Sequence, residues 1–219
     1  MRKDGLVRTI SMVKTKINNK GLIRLIEISL ILWIKSKCIH SEVLELEIDS
    51  SFFKLINGKI NLLTLKGSNI NFQNILISSA NIKSGEIDFK LEIAKRKISL
   101  TNPFNIEGHI KLESASMKTI FINGEWSWIT DLISNNLSNK EEVKDIYFKN
   151  NLMYITYSDN ENKYFCKEYS IEAYKDSILI KDSNTETTFL LPMDKSILIK
   201  KTFIKNSCLF IYGNSVVRS

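Results

Sequence analysis

From residue 42 onward, apolar and polar positions alternate along the chain with a period of two. Val43, Leu46 and Ile48 lead toward an Asn57-Gly58 turn, and Ile60, Leu62 and Leu65 run on to Gly67. Ile70 and Phe72 then interleave with Asn69 and Asn71. The clearest strand is Glu86 to Ile93, where Ile87, Phe89, Leu91 and Ile93 alternate with Glu86, Asp88, Lys90 and Glu92. Ile106, Ile110 and Leu112 continue the pattern after Pro103. Strict alternation buries one face of a strand and wets the other, as antiparallel sheets do. The turns are short and no helix of crossover length intervenes, which excludes a doubly wound parallel sheet and its nucleotide-binding crevice.

Residues 113–138 break the alternation. Ser114 or Ser116 caps a short helix through Ile122 that Gly124 ends, and Trp126, Ile129, Ile133 and Leu137 then recur at helical spacing. Strands are expected again at Val143–Phe148, Met153–Tyr157, Tyr164–Tyr174, Ser177–Lys181, Thr187–Leu191, Ser196–Ile204 and Ser207–Tyr212. Asn160, Asn162, Asp176 and Asn206 supply the turn chemistry between them.

Upstream of the strands, Leu22 to Ile34 forms a run of thirteen residues broken by Arg24 and Glu27. A bilayer span needs about 20 mostly apolar residues, so this run is too short to cross. Its hydrophilic lead-in and the lack of an A-x-A-like site fit a secretory signal poorly. Ile23, Ile26, Leu30, Trp33 and Ile34 cover one broad helical face, and Ile28 and Ile31 intrude on the other. A helix so apolar belongs in a core or flat in a membrane interface with Trp33 at headgroup level. The expected fold is therefore α+β: a curved antiparallel β-sheet wrapping a long N-terminal helix, with short helices in the middle of the chain. Residues 1–20 read as a basic flexible arm and 21–215 as one domain.

Charge sharpens this picture. The first 37 residues hold nine Lys and Arg against Asp4 and Glu27, a net +7, while the remaining 182 balance 22 basic against 22 acidic residues. A basic leader on a neutral body suggests attachment to an anionic membrane surface, with Lys14, Lys16 and Lys20 as contacts. The first aromatic residue is Trp33, so the leader has no stacking rings and nucleic acid is not expected as a partner. Trp126 and Trp128 flank Ser127 and are candidates for a rim at the membrane surface, or for two core rings. Cys38, Cys166 and Cys208 form no C-x-x-C and read as free thiols of a cytoplasmic, peripherally membrane-associated protein.

No catalytic constellation emerges. His40 and His109 are isolated, and no G-x-S-x-G elbow, G-x-x-x-x-G-K-[ST] loop or G-x-G-x-x-G turn occurs. Glu141, Glu142 and Asp145 lack cation-site spacing. The chain reads as non-enzymatic, without cofactor or metal.

An ordered set of features gives the stretch from Leu32 to Leu137 a family resemblance. These are the Leu32-Trp33 helix end, the Phe53–Ile60 segment with Gly58, Phe72-Gln73-Asn74-Ile75-Leu76-Ile77-Ser78, Gly85-Glu86-Ile87-Asp88-Phe89, and Pro103-Phe104 leading to Ile106–Glu113. The stretch resembles the LmeA-like phospholipid-binding family, in its uncharacterised cyanobacterial form, whose fold is similar to tubular lipid-binding proteins. The resemblance implies phospholipid as ligand, acyl chains held in an apolar groove, and lipid transfer. Candidate lining residues are Ile26, Leu30 and Trp33 on the helix, Phe72, Ile75 and Ile77 on one strand, and Ile87, Phe89, Leu91 and Ile93 on another. The same side chains could instead close an ordinary core. In that case the protein is a structural or assembly factor docking on a membrane complex, with a protein partner the sequence does not identify.

Overall fold

The structure is a computed structural model that describes Ile26, Ile28, Ser29, Ile31 and residues 38–72, 74–92, 97–122, 126–138, 140–159 and 161–218. In chain order these comprise β1 (Cys38–Asp49), α1 (Phe52–Ile56), β2 (Lys59–Ile60), β3 (Leu62–Phe72), β4 (Ile75–Ser84), β5 (Ile87–Glu92), β6 (Lys97–Leu100) and β7 (Phe104–Glu113). Then come α2 (Ser114–Phe121), α3 (Trp128–Leu137), β8 (Glu142–Lys149), β9 (Leu152–Ser158), β10 (Tyr164–Tyr174), β11 (Ser177–Asp182), β12 (Thr188–Leu191), β13 (Ile197–Lys205) and β14 (Cys208–Val217).

Local sequence explains the hairpins. Asn150-Asn151, Lys175-Asp176 and Asn206-Ser207 each form a two-residue connection in which both residues have positive φ. That backbone matches the twist of the strands it joins, and Asn and Asp reach it more readily than other non-glycine residues. The three turns join β8 to β9, β10 to β11 and β13 to β14.

The strands make three antiparallel sheets: β1-β3-β4-β7-β14-β13, β12-β11-β10-β9-β8, and β2-β5-β6. The first sheet organises the molecule. Its register sets Leu44, Gly67, Ala80, Ile110, Ile211 and Thr202 side by side across all six strands. Cross-strand partners share a face, so this row lies on the buried side. Yet its two ends feed different cores. Leu44 packs with Leu46, Leu55, Ile60, Ile87 and Phe89, together with Ile26 and Ile31. Ile110 and Ile211 pack against a larger core built from α2, α3 and the five-stranded sheet. Gly67 and Ala80 stand between, and a Cβ on Gly67 would come within 2.6 Å of Ile70 Cδ1.

The fold class thus differs from the sequence expectation of a curved sheet wrapping a long N-terminal helix. Antiparallel strand dominates, and among the described residues no long N-terminal helix is present. The reason is physical: the apolar face of the six-stranded sheet is divided between two local covers, each made of further strands and short helices. Ile26 and Ile31 do bury their side chains in the smaller core, while Ile28 faces solvent. The two short helices in the middle of the chain stand where helical spacing places them.

Candidate functional site

Helix α1 caps the smaller core and, among the described residues, presents the most concentrated exposed apolar surface. Ser51 precedes it in an extended conformation, and its hydroxyl accepts from the Lys54 N–H at 3.3 Å, which starts the helix. Asn57 ends it, donating from its backbone N–H and from Nδ2 to the Phe53 carbonyl at 3.3 and 2.9 Å. Gly58 then turns the chain with φ +74°, and its carbonyl accepts from the Phe89 N–H at 2.7 Å. This bond ties the helix to β5.

Five residues give little more than one turn, so only Leu55 reaches the core. Phe52, Phe53 and Ile56 are left in water, at 45, 72 and 50% exposure. Among the described residues no other five-residue stretch leaves three large apolar side chains so exposed. Charge around the helix is uneven. Lys59 lies 3.7 Å from Glu86 and 3.6 Å from Asp88. Asn102 donates to Asp88 at 2.8 Å, and that bond, helped by Lys59, holds the Asp88 carboxyl below its usual range. Lys54 has no carboxylate partner among the described residues; its Nζ donates to Asn61 Oδ1 at 2.5 Å.

The residues singled out as a lipid trough fall into several places. Ile26, Ile87 and Phe89 share the smaller core, filled by the protein's own side chains. Ile75 and Ile77 are half-buried against the larger core. Phe72 is exposed at the end of β3, and Leu91 belongs to β5. Leu30, Trp33 and Ile93 lie outside the described residues, as do Lys14, Lys16 and Lys20. Trp126 and Trp128 stand together with ring centroids 6.2 Å apart. Trp126 packs on the larger core and Trp128 is 43% exposed.

The opposite, solvent-facing side of the six-stranded sheet carries an open depression of about 270 Å³, of mixed polarity, whose lining includes Val43, Glu45, Lys66, Ser68, Asn81 and His109. His109 stacks on Tyr212 at 5.0 Å, and the rings continue through Phe203 to Phe210 at 6.0 and 5.2 Å. Among the described residues no group of three His, Cys, Asp or Glu side chains is arranged to hold a metal ion. Cys38, Cys166 and Cys208 are all free thiols.

Sequence reasoning did not find α1 as a site. The available signal was local: two adjacent phenylalanines directly after the Ser50-Ser51 pair, with Lys54 following and Asn57-Gly58 closing the segment. No helix among the described residues is long and apolar enough to cross a membrane. No family model, no curated protein and no solved structure matches this chain.

Proposed function

We propose that this chain is a non-catalytic protein that attaches peripherally to an anionic phospholipid surface, at the cytoplasmic leaflet, through its basic N-terminal stretch. One observation carries the reading: Ile26 is only 1% exposed and shares its core with Leu55 of α1. The basic stretch therefore joins the body at the end where α1 holds its apolar side chains in water. Residues 1–25 contain seven Lys and Arg against the single Asp4, a net +6. Near an anionic leaflet each such charge contributes about 1 kcal/mol, so a few engaged residues hold the protein in place.

The resemblance to LmeA-like phospholipid-binding proteins supports the choice of phospholipid as the ligand chemistry. Surface attachment is the part of that chemistry proposed here, because the candidate lining residues are distributed over two cores. The test is co-sedimentation of the full chain with phosphatidylcholine vesicles, with and without phosphatidylserine, at low and high salt. Binding should require phosphatidylserine, weaken with salt, and fall when residues 1–20 are deleted. Equal binding to both vesicles, or none to either, would overturn the proposal; the latter result would favour a protein partner in a membrane complex.

A further inference from the structure

The electrostatic reading accounts for the leader but leaves the exposed face of α1 unexplained. We propose that α1 is a membrane-inserting element, with Phe52, Phe53 and Ile56 entering the acyl boundary of the same anionic bilayer while Lys54 remains among the headgroups. This deepens the proposed function and rests on it for the identity of the surface.

Three observations carry it. First, the apolar side chains are clustered on one helical turn, whereas Tyr164, Leu190, Leu198 and Val216, also exposed, are spread along separate strands. Scattered apolar residues are ordinary on a protein surface, but a contiguous set marks a contact. Second, the helix is held from below by Leu55, by the Asn57 bonds to Phe53 and by the Gly58–Phe89 bond. Its apolar face is thus ordered before contact, and insertion carries little ordering penalty.

Third, the charge matches an anionic interface. Lys54 sits between Phe53 and Leu55 with its ammonium on Asn61 and no carboxylate partner among the described residues. A lysine so placed can extend its stem along apolar surface and set its head against phosphate. Lys59 is already matched by Glu86 and Asp88, so Lys54 is the cation that α1 offers. In sequence, the basic stretch of residues 1–25, with its net +6, leads directly into Ile26, which is buried in the core that Leu55 of α1 also fills. An anionic bilayer accommodates three apolar side chains and an adjacent lysine together without special design.

Salt separates the two contributions. Ionic strength screens the leader but leaves apolar insertion in place. Phe53→Ser in the full chain should therefore lower partitioning onto phosphatidylcholine–phosphatidylserine vesicles about tenfold, with the deficit persisting at high salt. Ile56→Ser should act in the same direction, while Leu198→Ser and Leu190→Ser should bind as the parent chain does. Unchanged urea midpoints would show that the fold is intact. Phe53→Trp should add tryptophan fluorescence that brominated acyl chains quench.

Parent-like binding by Phe53→Ser at high salt, or unquenched Phe53→Trp fluorescence, would overturn the inference. So would a Phe53→Ser effect confined to self-association in sedimentation velocity, which would assign the face to a second copy. If deletion of residues 1–20 leaves binding intact while Phe53→Ser abolishes it, insertion stands and the electrostatic proposal falls. If the deletion abolishes salt-sensitive binding and Phe53→Ser changes nothing, the reverse holds.

Discussion

Tyr157 and Tyr169 join their hydroxyls at 2.8 Å inside the larger core, where both side chains are fully buried. Each phenol supplies the other with a hydrogen-bond partner that water cannot reach. Ser138 is a second polar neighbour of Tyr157, whereas among the described side chains the Tyr169 hydroxyl has Tyr157 alone as a hydrogen-bond partner. Removing one partner should therefore have unequal effects. Tyr157→Phe strands a buried hydroxyl and should cost about 1–3 kcal/mol, while Tyr169→Phe should cost less because Ser138 remains. The double variant should recover part of the loss, since two apolar rings leave nothing unsatisfied. Urea denaturation of the three variants reads all of these effects.

The same pair should make the fold sensitive to alkali. Burial is the main cause that pushes Tyr169 up to about 12, and Tyr157 is raised for the same reason. A pKa raised in the folded state means that the fold favours the neutral phenol. Its contribution is complete below pH 10, where an unfolded tyrosine begins to ionise, and is lost as pH rises through the folded value. The urea midpoint should decline between about pH 10 and 12. In the Tyr157→Phe/Tyr169→Phe double variant that decline should be shallower.

How far these features were legible differs from element to element. Strands β8 to β14 followed from alternation between Asn- and Asp-containing turns, because a two-residue period and positive-φ residues are both local properties. The partition of the core was not legible. Leu44 and Ile110 look alike as apolar positions in amphipathic strands, yet one packs beneath α1 and the other beneath the five-stranded sheet. Alternation says that a face is buried and is silent about what covers it. Ile75 and Ile77 were grouped with Ile87 and Phe89 for the same reason. Helix α1 escaped notice because five residues are too few to display a 3.6-residue period, and its exposed phenylalanines look like ordinary core candidates until Leu55 is seen to fill the only inward position.

Ile26 should tie the N-terminal stretch to the α1 end of the molecule. Because its side chain is buried with Leu44, Leu55 and Phe89, Ile26→Ala should cost about 2–4 kcal/mol through lost contacts and a cavity. The damage should be local, since the two cores are separate. Hydrogen exchange should quicken at the amides of Leu44, Leu46 and Phe89 and remain slow at Ile155 and Tyr169. Uniform acceleration across both cores would show that they unfold as one.

Gly58 offers the sharpest test of how α1 is held. Its φ of +74° strains any L side chain, and a Cβ there would stand 2.1 Å from the Phe89 carbonyl oxygen. That oxygen belongs to backbone in β5 and cannot swing aside as a flexible side chain would. Gly58→Ala should cost about 1–3 kcal/mol from the dihedral alone. The clash should further force β5 away from the turn and break the bond from the Phe89 N–H to the Gly58 carbonyl. Leu55 would lose its fixed seat, and α1 its fixed presentation of Phe52, Phe53 and Ile56. The variant should therefore lose stability in urea and also the salt-insensitive part of vesicle binding, although none of the three apolar side chains has changed. Were vesicle binding at high salt to survive in a chain so destabilised, the ordered geometry of α1 would be irrelevant to its contact with lipid.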